Sequence, residues 1–265
     1  MIRLDMLVMQ NGLAASRQRA KALIINGKIQ VDGMICTKPA KLTEETAELV
    51  LIGEGLRYVG RGGFKLEAVL ERQQLSLKNC ICMDIGASTG GFTDCMLQHG
   101  AEKVYAVDVG HGQLAASLRE NDRVICMEGT DIRTLQRETI PDRIDFISVD
   151  VSFISLERIL PDICRFLSET GTAVLLIKPQ FEAGRTDVGK KGIVRSKAVH
   201  VRVLQTVCMA LEQHDLHVQL LCPSPIRGGS GNAEYLVLVK RGEQVQSVSF
   251  SLEVIAAQAL ATDKK

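Results

Sequence analysis

Residues 84–91 read Asp-Ile-Gly-Ala-Ser-Thr-Gly-Gly and follow an apolar run at 80–83. The pattern predicts a short buried strand, a glycine-rich turn where a ligand can approach bare backbone, and a helix that begins near Gly91. Asp108 ends the next apolar run, about twenty residues later, where a carboxylate can bind the hydroxyl pair of a ribose. We therefore predict a nucleoside cofactor site. Its residues would be Asp84, Gly86, Ala87, Ser88, Thr89, Gly90, Gly91, Asp108 and Asp131.

Three interpretations of this turn compete. A dinucleotide fingerprint fits only in part, because Ser88 stands where the second glycine belongs. A methyltransferase nucleotide loop fits better, with small residues at alternate positions 86, 88 and 90. Residues 86–90 also match the Gly-x-Ser-x-Gly elbow of a serine hydrolase, with Ser88 as nucleophile. Acids at three successive predicted strand ends favour a ligand that lies across the top of a parallel sheet.

Four more ionisable residues border apolar strands or glycines. Lys65 follows the glycines at 60–63, Asp150 and Lys178 end two apolar runs, and Glu234 opens the last one. A charge at the edge of a buried strand is unfavourable unless it is paired. These residues are therefore either ordinary strand-end ion pairs or reactive groups, and their spacing leaves both alternatives open.

The elements that must position these residues alternate in type. Apolar runs predict strands, with helices between the first five of them, which is the rhythm of a parallel sheet covered on both faces. The last two runs lack a helix between them, so we expect a terminal hairpin and an antiparallel last strand. The predicted strands lie near 80–85, 103–108, 123–127, 143–150, 171–178, 217–222 and 234–240. The fold class is therefore α/β and Rossmann-like.

A smaller α+β module precedes the sheet. Ser16 resembles a helix N-cap, residues 17–25 have a helical pattern, and Asn26-Gly27 would end the helix. Residues 28–36 read as a hairpin with Asp32-Gly33 at its turn. Residues 1–41 hold seven basic residues against two acidic ones, although the net charge of the chain is only +1. Such a basic module fits either a polyanionic partner or an ordinary solvated surface, and charge alone leaves both alternatives open.

Composition narrows the class of protein further. The 265 residues are 46% hydrophobic and 24% charged, which is typical of a soluble protein with one large and one small domain. We expect no signal peptide and no membrane span. The eight scattered cysteines indicate reduced thiols, hence a cytoplasmic protein. The pair Cys80 and Cys82 lacks a partner pair at zinc spacing, so we predict no metal site.

The first 60 residues resemble the small RNA-binding domain named after the fourth small-subunit ribosomal protein. The resemblance rests on Arg3-Leu4-Asp5, on Ser16-Arg17-Gln18-Arg19-Ala20 and on residues 27–33. It implies that Arg17, Arg19 and Lys21 face RNA phosphates. A glycine-punctuated basic loop at 182–197 is either a mobile flap that closes on RNA phosphates or a solvated surface loop. The predicted RNA-binding residues are Arg3, Arg17, Arg19, Lys21, Lys28, Arg61, Lys190 and Lys191.

Seven motifs together resemble the TlyA family of ribosomal RNA 2′-O-methyltransferases, whose catalytic domain is FtsJ-like. The motifs are residues 16–20, 59–66, 84–93, 107–110, 150–155, 177–182 and 231–234. The resemblance implies S-adenosylmethionine as cofactor, a ribose hydroxyl of ribosomal RNA (expected on cytidine) as acceptor, and a Lys-Asp-Lys-Glu tetrad. The tetrad falls on Lys65, Asp150, Lys178 and Glu234.

The implied domains are an RNA-binding domain at 1–59, a glycine-rich linker at 60–64 and a methyltransferase domain at 65–265. The expected partner is ribosomal RNA or an assembled ribosomal subunit, without an obligate protein partner and without a membrane. Two other functions remain as alternatives. One is a cytolysin, since the family also carries the name hemolysin, and the other is a non-catalytic assembly factor that binds ribosomal RNA.

Overall fold

A computed structural model describes residues 1–14, 16–52, 57–242 and 245–261. The chain divides into two units, Met1–Arg61 and Gly62–Lys265. In the first unit the elements are β1 (Ile2–Arg3), α1 (Leu4–Gln10), α2 (Arg17–Ile25), β2 (Ile29–Val31), β3 (Met34–Ile35), β4 (Leu42–Thr43) and β5 (Leu49–Leu51). The helix and hairpin expected at 17–36 are present; α1, β1, β4 and β5 were not predicted.

Local sequence explains the first unit. The Ser16 hydroxyl accepts a hydrogen bond from the Arg19 amide at 3.2 Å, which caps α2. Asp32 and Gly33 both have positive φ, 51° and 77°, as a two-residue hairpin turn requires. The two helices pack on the inner face of β2, whose Ile29 is fully buried. The unit therefore has a small core of its own.

The second unit contains a seven-stranded sheet. Its elements are α3 (Gly62–Arg72), β6 (Ile81–Ile85), α4 (Gly91–Gln98), β7 (Lys103–Asp108), α5 (Ala116–Arg119), β8 (Val124–Glu128), β9 (Ile144–Val149), α6 (Leu160–Phe166), β10 (Leu167–Ile177), α7 (Pro179–Glu182), α8 (Lys197–Glu212), β11 (Leu216–Pro223), β12 (Tyr235–Arg241) and α9 (Leu252–Ala261). Short 3-10 turns lie at Arg137–Thr139, Leu156–Arg158 and Arg185–Asp187.

The strand order is β11-β12-β10-β9-β6-β7-β8. The pairs among β6 to β10 are parallel, whereas β12 runs antiparallel to both β10 and β11. The fold class and the antiparallel last strand are thus confirmed. The sequence did not indicate that β12 enters between β10 and β11, which brings its first residues beside the end of β10.

The boundary region differs from the expectation at one point. The helix α3 begins at Gly62, so residues 62–64, which were expected in the linker, form its first turn. Within the described parts of the chain, no helix has both the length and the apolar character that a bilayer crossing requires. The same residues contain no group of three or more His, Cys, Asp or Glu side chains arranged to hold a metal ion.

Candidate active site

The turn between β6 and α4 has the conformation that its glycines suggest. Gly86 has a φ of +85°, and a Cβ atom at this position would lie 2.5 Å from the backbone oxygen of Asp150. A side chain is therefore excluded by both conformation and space. Ser88 is also left-handed, with a φ of +49°, and it directs its amide at the end of β7.

Asp108 accepts a hydrogen bond from the Ser88 amide. One carboxylate oxygen accepts from the Ser88 amide and the other from the Gly110 amide, each at 2.7 Å. Two backbone donors thus fix the carboxylate at the carboxyl end of the sheet, where ligands bind in open α/β folds. Asp108 still has unused acceptor sites, because a carboxylate can accept about four hydrogen bonds.

A cavity of about 560 Å³ opens at this edge and is lined by Gly86, Ser88, Asp108, Asp131 and Asp150 among others. Its size is in the range of small-molecule sites. The structure does not bring the other predicted cofactor residues to the cavity lining. Ala87, Thr89, Gly90 and Gly91 build the turn and the start of α4.

Asp84 is a correction to the predicted cofactor set. Its side chain is buried beneath the turn and accepts hydrogen bonds from the hydroxyls of Thr93, at 2.6 Å, and Ser148, at 2.9 Å. Burial raises the pKa of Asp84 to about 6. The residue lies one position before the end of β6, but its side chain points into the protein and joins α4 to β9.

Asp131 lines the cavity and is bound by a residue that the sequence analysis missed. The Arg133 guanidinium lies 2.6 Å from one carboxylate oxygen, and the Arg133 amide donates to the other at 3.0 Å. Hydrogen bonds from Arg133 hold the pKa of Asp131 below its ordinary value. Arg133 also lines the cavity. Nothing in the sequence indicated this role for Arg133 beyond its position two residues after Asp131.

The four tetrad candidates form two ion pairs. The Lys65 ammonium lies 2.7 Å from the Glu234 carboxylate, and the two side chains are only 10% and 3% exposed. The ladder between β10 and β12 pairs Ile177 with Tyr235. Lys178 and Glu234 are therefore the next facing positions at this end of the sheet.

The second pair joins the ends of β9 and β10. The Lys178 ammonium lies 2.6 Å from Oδ1 of Asp150, and it donates a hydrogen bond to the Ser152 hydroxyl at 2.9 Å. Asp150 and Ser152 both line the cavity, so the amine lies at its margin. Ser152 was not predicted, although it follows Asp150 by two residues in the same motif.

Phe153 is a second residue that the sequence analysis missed. Its side chain is 92% exposed, although it lines the cavity and its ring lies 4.9 Å from the ring of Phe181. Its φ is +64°, which is unusual for a bulky residue. A large exposed aromatic in a strained backbone conformation at a cavity mouth indicates a ligand contact. No sequence pattern distinguishes it from a core phenylalanine.

In the first unit, a buried acid organises two of the predicted RNA-binding residues. Arg3 makes two hydrogen bonds of 3.0 Å to the Asp5 carboxylate, and Arg17 adds a third at 3.1 Å. Both arginines remain partly exposed. Arg19 donates instead to the backbone oxygen of Tyr58.

The other predicted RNA-binding cations are at least partly exposed. Lys21 and Arg61 are exposed, and Lys28 is half-buried. In the second unit, exposed Lys190 and Lys191 line a separate concavity of about 320 Å³. The two units thus carry these cations on accessible surfaces.

The serine-hydrolase interpretation of the turn receives no support from its hydroxyl. Ser88 Oγ lies 3.3 Å from the side-chain oxygen of Gln113, which is not a base. A nucleophilic serine requires hydrogen bonding to a histidine or an equivalent group.

The sheet order, the reversed strand β12 and a cavity at the turn after β6 define a Rossmann-like methyltransferase. The sequence profile of FtsJ-like methyltransferases matches residues 58–241, and the profile of the S4 domain matches residues 2–48. The chain belongs to the TlyA family within the FtsJ-like methyltransferases, as its motifs predicted.

Individual relatives support this assignment. Over 236 residues the chain is 44% identical to YqxC of Bacillus subtilis, which is named as a candidate rRNA methyltransferase; the match covers 89% of this chain and 84% of that protein. It is 40% identical over 239 residues to the 16S/23S rRNA (cytidine-2′-O)-methyltransferase TlyA of Mycobacterium tuberculosis, covering 90% and 89%. A solved Streptococcus thermophilus protein, described as a candidate hemolysin, is 43% identical with a TM-score of 0.80, covering 99% and 97%.

S-adenosylmethionine is the cofactor of this class of enzyme, and the residues present fit it. Asp108 has free acceptor capacity at the position where a ribose diol binds. The bare backbone of Gly86 and the exposed Ser88 border the same cavity, and Asp131 offers a second carboxylate. The match of the S4 domain, together with the rRNA methyltransferases among the relatives, indicates RNA as the substrate class.

Proposed function

We propose that this protein transfers a methyl group from S-adenosylmethionine to a ribose 2′-hydroxyl of cytidine in ribosomal RNA. The observation that carries the proposal is the Lys178 amine, held by Asp150 and Ser152 at the margin of the cofactor cavity. The relatives named as rRNA cytidine 2′-O-methyltransferases support the choice of acceptor. We refer to Gly86, Ser88 and Asp108 as the donor end, and to Lys65, Asp150, Lys178 and Glu234 as the acceptor end.

The cofactor supplies an electrophilic methyl group on sulfur. A ribose hydroxyl is a weak nucleophile until its proton begins to leave, so the protein has to orient the hydroxyl and accept that proton. Lys178 is the proposed base, because its amine is beside the cavity. A lysine accepts a proton only in its neutral form, which is the minor form for an ordinary lysine at neutral pH. Asp150 contacts this amine at 2.6 Å, and its proposed role is to orient Lys178.

Lys65 and Glu234 are proposed to position the acceptor ribose. Their buried ion pair satisfies both charges, and it lies next to Lys178 along the end of the sheet. Such a pair can offer hydrogen bonds to a sugar without moving, which favours the orientation of the hydroxyl. Phe153 is the proposed contact for a nucleobase, since its exposed ring borders the cavity.

RNA binding is proposed to begin at the first unit. Asp5 holds Arg3 and Arg17 in fixed orientations, so that little side-chain entropy is lost when their exposed nitrogens meet phosphates. Arg19, Lys21, Lys28 and Arg61 would extend this surface.

Lys190 and Lys191 form the proposed second RNA contact. Asn232 anchors the end of their loop, because its side chain donates to the Gly192 oxygen at 2.8 Å and accepts from the Val194 amide at 3.0 Å. Limited proteolysis tests this contact. RNA should protect the chain near Lys190, and equal cleavage with and without RNA would remove this loop from the interface.

The proposed function is tested by mapping 2′-O-methyl groups on ribosomal RNA with and without this protein. We expect at least one cytidine to gain a methyl group that depends on the protein, on naked RNA or on an assembled subunit. The same experiment distinguishes the two subunits as substrates. If the purified protein binds ribosomal RNA and the cofactor but adds no methyl group, it is a non-catalytic assembly factor.

The name hemolysin among the relatives motivates one further test. A cytolysin would release dye from liposomes, and we expect none from the purified protein. We also propose that the protein acts in the cytoplasm, where its substrate resides, without an obligate protein partner.

A further inference from the structure

The segment 150–156 connects β9 to the 3-10 turn at Leu156–Arg158, and its residues 150–154 line the cavity. At its centre, Phe153 has a φ of +64° and an almost fully exposed side chain. A left-handed conformation of this kind disfavours a residue with a bulky side chain by about 1–2 kcal/mol. It persists only where neighbouring contacts determine it. The surroundings of Phe153 must therefore hold the segment in this conformation.

One side of the segment is held by Lys178. Its amine contacts both Asp150 and Ser152, which precede Phe153. These contacts belong to the proposed reaction centre. They fix the first half of the segment and leave the second half to other residues.

The second half is held by Glu182. One carboxylate oxygen of Glu182 accepts from the Ser155 hydroxyl at 2.7 Å, and the other accepts from the Leu156 amide at 2.9 Å. Hydrogen bonds to an ionised carboxylate are stronger than those between neutral groups. Burial raises the pKa of Glu182, while these two hydrogen bonds oppose the rise.

Both anchors come from one short element. The helix α7 spans Pro179–Glu182, so Lys178 and Glu182 stand at its two ends, and Phe181 between them lies against Phe153. A single helical turn therefore contacts the segment before, at and after its strained residue. A change at Glu182 would free only the far half of the segment and would leave the contacts of Lys178 in place.

We infer that Glu182 is a positioning residue for methyl transfer. It holds the segment 150–156 so that the Ser152 hydroxyl stays within reach of Lys178 and the Phe153 ring stays at the cavity mouth. The inference rests on the proposed function, because the ring and the amine matter to a bound acceptor. Glu182 itself touches no reacting atom in this scheme.

The test uses the full-length protein and measures the single-turnover rate at saturating cofactor and RNA, so that weaker binding does not imitate slower chemistry. Glu182→Ala removes both acceptors, whereas Glu182→Gln keeps an oxygen that can accept from the Leu156 amide. Glu157→Ala is the matched control, since Glu157 is an exposed carboxylate in the adjoining 3-10 turn. We expect Glu182→Ala to lower the rate about 10- to 100-fold, as small misplacements do, with Glu182→Gln intermediate and Glu157→Ala unchanged.

A second readout follows the segment itself. The chain contains no tryptophan, so Phe153→Trp introduces a single fluorescent reporter. In this background, Glu182→Ala should increase the local nanosecond rotation seen in the anisotropy decay, and Glu157→Ala should not. Loss of global stability alone would leave the folded protein's anisotropy unchanged.

The outcomes distinguish a failure of the inference about Glu182 from a failure of the proposed function. An unchanged rate in Glu182→Ala, or a slower rate with unchanged local rotation, would overturn the inference while wild-type transfer continues. If Glu182→Ala does not fold, Glu182→Gln must still show both a slower rate and greater rotation. Failure of the wild-type chain to methylate RNA would instead overturn the proposed function, and the inference with it.

Discussion

The donor end and the acceptor end lie on the same edge of one sheet, but they hold their polar groups in different ways. At the donor end, backbone amides of Ser88 and Gly110 fix Asp108. At the acceptor end, charged side chains fix one another in two pairs, Lys65 with Glu234 and Lys178 with Asp150. Backbone donors keep their place when a nearby side chain changes, whereas a member of an ion pair loses its partner. The acceptor end should therefore be the more sensitive to single substitutions.

The largest expected effect is the loss of the proposed base. Lys178→Ala should lower the single-turnover rate of methyl transfer by about 10² to 10⁴-fold, the usual contribution of general base catalysis. Cofactor affinity, measured by calorimetry, should change little, because Lys178 does not line the cavity. Turnover close to that of the wild type would remove Lys178 from the base role.

The next effect concerns stability at the acceptor end. Glu234→Ala leaves the buried Lys65 ammonium without its partner, so we expect a loss of about 3–5 kcal/mol in the free energy of unfolding. Adding Lys65→Met should recover most of this loss, because no buried charge remains, without restoring transfer. Chemical denaturation measures both variants.

The surface pair of Arg202 with Asp187 is the control for this comparison. Asp187→Ala should change the free energy of unfolding by about 1 kcal/mol or less, because exposed ion pairs contribute little. Equal losses at the two pairs would contradict the assignment of a special cost to the buried one.

The third expected effect is a pH dependence of stability caused by Asp84, the buried acid beneath the donor end. Because the pKa of Asp84 is raised to about 6, the folded protein binds this proton more tightly than the unfolded chain. Its ionisation therefore lowers the stability of the fold as the pH rises from about 4, the ordinary pKa of an aspartate, to about 6, and the loss levels off above that pH. Relative to Asp84→Asn, the wild type should lose about 1–2 kcal/mol of stability between about pH 5 and pH 7.5. A pH-independent difference between the two proteins would show that Asp84 has an ordinary pKa.

The smallest expected effect is a difference in cofactor binding between substitutions of two glycines, Gly86 and Gly112. Gly86→Ala introduces a Cβ atom against the Asp150 backbone, whereas Gly112, with a φ of +65°, has open space around it. We expect Gly86→Ala to weaken cofactor binding about tenfold, equivalent to about 1.4 kcal/mol. Gly112→Ala carries the same conformational strain without the clash and should bind normally. Similar losses in both variants would attribute the effect to strain alone.

Prediction from the sequence succeeded where the signal was local. The strand and helix pattern predicted all seven strands of the large sheet, and the turn after β6 was recognised from its glycines. The position of β12 between β10 and β11 was not predictable, because strand order depends on packing between distant segments. The roles proposed for the tetrad stay predictions, which rest on the family resemblance and on the two observed pairs.

The directions in which side chains point were equally unpredictable from the sequence. Asp84, Asp108 and Asp131 follow similar patterns in the sequence, yet only the last two line the cavity. Asp84 lies inward because Thr93 and Ser148, which come from other elements, offer it hydrogen bonds. The sequence does not indicate whether a carboxylate near the end of a strand will point into the protein or into the cavity.

The sequence by itself determined the donor turn, the helix cap at Ser16 and the hairpin at Asp32-Gly33, because backbone conformation over a few residues depends on the residues present there. Only the tertiary structure decided which charges pair at the acceptor end and that Glu182 holds the segment of Phe153. Lys65 and Glu234 are 169 positions apart in the chain. Such contacts form when buried strands and helices pack, since a charge excluded from water requires a partner that the fold alone can bring to it.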